Sequence, residues 1–211
     1  MNDSHRKTAY VALYNTYADW ESGHAMAELA RNGYEIRTVG LTLDPITTIG
    51  GLRIQPDLTL DDVRAEDAAL LLLTGAELWD SGDELAPFTQ RARAFLDAGV
   101  PVAAICGATA GLAREGLLDD RPHTSNVSFY LAATGYKGGE QYVEADAVTD
   151  GDLITAGATE PVAFAREILA RLGVYEGEVL DAWYRLFHDS DAAAYEILAA
   201  AQQESAQQES Q

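Results

Sequence analysis

Cysteine is nearly missing from this chain: 211 residues carry one, Cys106. A single thiol excludes an internal disulfide and fits a reducing compartment, so the expected localisation is cytoplasmic. Lysine is almost as scarce, with only Lys7 and Lys137, and 14 basic residues face 34 acidic ones for a net charge of -20. A surface of that sign repels phosphate backbones and anionic bilayers, so neither nucleic acid nor membrane is expected as a partner. The acidity also suits a solvating surface in a salt-rich cytoplasm, and it carries no information about chemistry. Long apolar runs are missing too, so no segment is expected to span a bilayer. The polar start MNDSHRKT has neither the apolar core nor the small-residue cleavage site of a signal peptide. The histidines, His5, His24, His123 and His188, have no ligand spacing with one another or with the cysteine, so neither a metal nor a cofactor is expected.

What is present is enough hydrophobic content, 47%, to bury one core, and one main domain over residues 1–174 is the natural count. Thr8 to Tyr14 reads as a strand, Trp20 to Gly33 as a helix and Glu35 to Leu41 as a second strand, which makes a βαβ opening. Ile46 to Leu60 reads as a hairpin around Gly50-Gly51, and Ala69 to Thr74 as a fully apolar strand. A helix from Asp83 to Ala98 precedes the cysteine strand. Beyond it come a short strand His123 to Asn126, a helix Val127 to Ala133, strands near Tyr142 to Val148 and Leu153 to Ala156, and a helix opening at Pro161. The alternation predicts an α/β three-layer sandwich: a mostly parallel, doubly wound, flavodoxin-like sheet with helices on both faces. Residues 175–203 read as two amphipathic helices packed on the domain or on a dimer partner, and the alanine, glutamine, glutamate and serine of 204–211 as a disordered tail.

The stretch PVAAICGATAGLAREG, Pro101 to Gly116, runs small and β-branched residues into Cys106 and Gly107 and then into helical periodicity. A cysteine at that corner projects from the carboxyl edge of the sheet, where the helix amides and dipole favour thiolate. Unpaired cysteines are also among the most buried residue types, so inert packing stands as the alternative from the motif alone.

Three stretches together, Asp19-Trp20-Glu21, Thr74-Gly75-Ala76 and Ala104-Ile105-Cys106-Gly107-Ala108, resemble the ThiJ/PfpI superfamily. That group includes the Parkinsonism-associated deglycase, PfpI-type intracellular proteases and, more distantly, class I glutamine amidotransferase domains. The resemblance runs from Thr8 to about Leu172 and implies that Cys106 is the elbow nucleophile. It makes Glu21 the carboxyl group that reaches the sulfur, and gives Gly75 and Gly107 as the oxyanion-hole amides. Trp20, Ala76 and Asn126 are the pocket candidates. The histidine that follows the cysteine in PfpI-type proteases is replaced by Gly107, and the deglycase-type histidine falls on Asn126. The histidine and glutamate of glutamine amidotransferases have no counterpart in AGATEP, Ala156 to Pro161. A complete triad is therefore not evident; His123 is a candidate third member if its strand kinks.

Two functions follow as expectations. In the first, Cys106 attacks a small carbonyl, amide or related electrophile, as a hydrolase or lyase would, while Glu21 exchanges the proton; peptidase and glutaminase activities are disfavoured. In the second, Cys106 is a stress-response thiol oxidised to sulfenic or sulfinic acid with Glu21 bonded to the new oxygens. A homodimer is expected because many relatives form one.

Overall fold

The computed structural model describes residues 8–209, with side chains through residue 203. Nine strands and seven α-helices follow one another among these residues: β1 (Thr8–Ala12), α1 (Gly23–Arg31), β2 (Glu35–Gly40), β3 (Ile46–Thr47), β4 (Arg53–Ile54), β5 (Leu58–Thr59), β6 (Ala68–Leu73), α2 (Ala86–Asp97), β7 (Val102–Ile105), α3 (Gly107–Arg114), α4 (Ser128–Ala132), β8 (Ala147–Asp150), β9 (Leu153–Ala156), α5 (Pro161–Arg171), α6 (Gly177–His188) and α7 (Tyr195–Glu209). Seven strands form one sheet in the order β5-β2-β1-β6-β7-β9-β8, parallel throughout except for β8, which returns antiparallel to β9. The expected fold class is the one observed.

The central strands are apolar because both of their faces are covered. β1 and β7 are buried along their whole length, and Ala103 and Ala104 have no exposed surface. Small side chains there let helices approach both faces closely, as an all-parallel centre requires. After β1 the chain builds outward through β2 and β5, then crosses back to lay β6 against the other side of β1. That reversal is a topological switch point, where the carboxyl ends of neighbouring strands diverge and leave a crevice. The loops leaving β1, β6 and β7 all open into it.

Several expectations change in detail. The predicted hairpin forms, β3 against β4 around Gly50 and Gly51, but Leu58–Thr59 leaves it to become the edge strand β5. No extended ladder forms at His123 to Asn126; a single bridge joins His123 to Tyr142. The strand expected from Tyr142 begins only at Ala147, since the acidic residues before it face solvent. α2 starts three residues late, with Pro87 in its first turn, where a missing N–H costs nothing. The stretch expected to be a disordered tail continues α7 as far as Glu209, because alanine, glutamine and glutamate propagate a helix; residues 210–211 lie outside the described residues. α6 packs on α5 of its own domain and buries Leu180, Ala182 and Trp183. Among the described residues no helix is long and apolar enough to cross a membrane.

Candidate active site

Cys106 occupies the corner between β7 and α3 with φ 59 and ψ -127. That conformation is strained for a residue with a Cβ, at a cost of about 1–3 kcal/mol, and persists only when its surroundings dictate it. Here Ala156 of β9 accepts the Cys106 N–H at 3.0 Å and the first turn of α3 continues from its carbonyl, with Thr109 N donating to Cys106 O at 3.1 Å. The side chain is thereby turned out of the strand and is only partly buried.

Glu21 comes from the loop after β1 and has no exposed surface. Its Oε2 accepts the Gly75 N–H at 2.6 Å, while its Oε1, buried without a hydrogen-bond partner, and the Cys106 sulfur flank the same point above Gly75. Gly75 is fixed in turn, since its carbonyl accepts the Ala18 N–H at 3.0 Å. Only glycine fits there. A Cβ at position 75 would stand 2.7 Å from Cys106 Sγ and 2.9 Å from Glu21 Oε1, so the same empty space brings sulfur and carboxyl together.

Burial in this corner raises Glu21 to about 7, against the counter-pull of the Gly75 amide and Cys106. Burial and the neighbouring Glu21 carboxylate push the Cys106 thiol up as well, and the Asn126 amide and the Gly107 N–H only partly offset them. The dipole argument that favoured a resting thiolate is overturned: desolvation and a like charge outweigh one turn of helix amides. Near neutral pH the thiol therefore keeps its own proton while the Glu21 carboxyl is close to its midpoint.

Asn126 closes the site from the other side. Its Oδ1 accepts the Ala158 N–H at 2.9 Å, which turns its NH2 group toward Cys106 Sγ at 3.7 Å. Held this way, Asn126 can donate to sulfur but cannot take its proton. Ala158 also receives the indole N–H of Trp20 at 3.4 Å, so Trp20, half exposed, stands at the rim.

A sequence model described as the DJ-1/PfpI family matches residues 7–171. The chain belongs to this family. It is 38% identical over 191 residues to the Bacillus subtilis (strain 168) protein named "Uncharacterized protease YoaZ", covering 85% of this chain and 90% of that one. It is 27% identical over 142 residues to "Deglycase PH1704" of Pyrococcus horikoshii, covering 67% and 84%. Among solved structures, a thiJ/pfpI family protein from Bacillus anthracis superposes with a TM-score of 0.85 at 38% identity, covering 90% of this chain and 93% of that one.

Of the site residues that the resemblance named, Cys106, Glu21, Gly75 and Asn126 lie together at this corner. Two other expectations are corrected. The Gly75 amide is not an open oxyanion donor, because it is committed to Glu21; the Gly107 N–H, which faces the sulfur, is the donor that remains. His123 is not part of the site. It is fully buried, with Nδ1 on Arg121 O at 2.8 Å, Nε2 on the Tyr136 hydroxyl at 3.2 Å, and its ring edge-on to Tyr136 and Tyr142. Both nitrogens are spent in a packed aromatic cluster, which makes it a core histidine. His24 is likewise used in packing, edge-on to Trp183 and Phe187 of α6.

Sequence reasoning missed Trp79. Its indole N–H donates to Thr74 O at 2.8 Å, its ring stands edge-on to Tyr14, and its carbonyl accepts Arg114 Nη1 at 2.7 Å. The ring fills the place that a side chain at Gly107 would need, 3.0 Å from a Cβ there, and comes within 2.3 Å of a Cβ at Gly111. Gly107 and Gly111, one helical turn apart, were the available signal: together they make a groove on α3 wide enough for an aromatic ring. Because hydrogen bonds fix Trp79, Gly111→Ala is expected to lose about 1–3 kcal/mol in urea unfolding from overpacking.

Proposed function

We propose that this protein is a cysteine-dependent enzyme that acts on small carbonyl electrophiles through a Cys106–Glu21 dyad. The observation that carries the proposal is the buried carboxyl of Glu21, held by the Gly75 amide beside the sulfur. In the reacting complex the thiol proton passes to the Glu21 carboxylate as the S–C bond forms at the carbonyl carbon. The C=O π pair moves onto oxygen, toward the Gly107 N–H, and the proton returns to that oxygen to complete a thiohemiacetal. Asn126 steadies the sulfur by donation and takes no proton. "Deglycase", the name of the Pyrococcus relative, fits this chemistry better than "protease", the name of the Bacillus one. The positions where the resemblance puts a peptidase histidine hold Gly107 and Asn126, so no imidazole is there to carry protons to an amine leaving group.

The oxidation-sensing alternative uses the same sulfur and is separated by mass spectrometry after mild peroxide, where an unmodified thiol counts against it. Turnover of methylglyoxal and of simple aldehydes and amides by the wild type, Cys106→Ser and Glu21→Gln tests the proposal. Loss of turnover in both variants is expected. Equal turnover by wild type and Cys106→Ser would sink it.

A further inference from the structure

At the C-terminal end of α6, away from the cysteine, three side chains from separate elements converge. His188 is the last residue of α6, Glu160 caps the start of α5, and Asp146 lies just before β8. One donor atom of each lies within 4.8 Å of those of the other two. Two of the three are held from behind. His188 Nδ1 bonds Asp189 Oδ1 at 2.6 Å, and its ring stacks on Tyr184 with centroids 4.5 Å apart and planes at 19°. Glu160 Oε1 accepts the Thr159 hydroxyl at 2.8 Å. Among the described residues, His188 Nε2, Glu160 Oε2 and the Asp146 carboxylate oxygens take no hydrogen bond.

A metal-binding imidazole ordinarily gives its second nitrogen to a carboxylate, which fixes the tautomer and aims the free lone pair. Asp189 does this for His188, Tyr184 holds the plane of the ring, and Thr159 orients Glu160. We infer that Asp146, Glu160 and His188 form a binding site for one divalent transition-metal ion of the zinc class. One imidazole with two carboxylates suits such an ion, whereas magnesium and calcium take oxygen ligands alone. Ligand bonds of about 2.0–2.2 Å set the donors roughly 3.4 Å apart around a tetrahedral ion, a contraction that solvent-facing side-chain ends make by rotamer adjustment. Three protein ligands leave a fourth position for water. The chain's charge of -20 raises the local cation concentration. A bound ion would fasten α6 to the segment that carries Ala158, the residue on which both Asn126 and Trp20 lean.

The test uses full-length, metal-free protein carrying Cys106→Ser, so that the thiol cannot supply the binding. Calorimetric titration with Zn2+ is expected to show one ion per chain and a rise in melting temperature, with no comparable response to Mg2+. His188→Ala, at an exposed position, and Glu160→Gln, at a half-buried one, should each weaken Zn2+ binding about tenfold or more, and Asp189→Asn about 10–100-fold. Circular dichroism checks that each variant is folded, and Asp146→Asn replaces any that is not. Failure to bind Zn2+, undiminished binding by His188→Ala, or equal multi-site uptake of Zn2+ and Mg2+ would overturn the inference. The last result marks diffuse attraction to an acidic surface.

Discussion

Turnover of a small carbonyl substrate is expected to rise with pH through about 7, and Glu21→Gln is expected to lose that rise along with about 10²–10⁴-fold in kcat. The sign follows from the dyad. Below the Glu21 pKa both members hold their protons, and the carboxylic acid cannot accept the one on sulfur. Above it the carboxylate is free to do so. An amide in the same place still accepts the Gly75 N–H, so the loop geometry survives while the proton acceptor is lost. A pH–rate profile of kcat/KM reports the ionisation in the free enzyme. An unchanged rising limb in Glu21→Gln would assign the titration to another group and remove Glu21 as the base.

The same substitution should stabilise the fold at alkaline pH. Glu21 is bound to its proton more firmly in the folded state, at about 7, than in the unfolded chain at 4.5. A raised carboxyl pKa contributes stability that is fully present below 4.5 and lost as pH climbs through 7. The loss amounts to about 3 kcal/mol, at 1.36 kcal/mol per pKa unit. Glutamine does not ionise. The difference in unfolding free energy between Glu21→Gln and the wild type should therefore move in favour of the variant by up to about 3 kcal/mol between pH 4.5 and 8, measured by urea denaturation. A difference that stays flat across this range would mean that Glu21 titrates normally. The expected pH-dependent difference would mean that stability is spent at the site for reactivity, as buried functional carboxylates commonly require.

Local pattern carried much of the fold because each central strand is buried on both faces. The apolar runs Ala69 to Thr74 and Val102 to Ile105 are continuous for that reason, and the helices between them keep their 3.6-residue period. Where exposure weakened the pattern, the reading failed. The acidic residues before Ala147 read as strand and are not, and 204–209, judged too polar to order, extend a helix. His123 shows a different limit. A strand of regular alternation separates it from Asn126 by one face, yet the segment makes only one bridge, and nothing local announces that Tyr136 and Tyr142 will enclose its ring.

By itself the sequence determined the strand-to-helix corner at Cys106, because small apolar residues, a glycine and a helical period lie consecutively. Spacing also settled that no histidine adjoins the sulfur in the chain. Only the folded arrangement decided the rest. It set Glu21 against the sulfur in the space left by Gly75, turned the Gly75 amide to the carboxylate, and used Trp79 to shape α3. It also raised both acids of the dyad and gathered Asp146, Glu160 and His188. The physical reason is common to all of these. Desolvation and hydrogen-bond commitment depend on groups tens of residues apart in the chain, and no local pattern encodes which of them will meet.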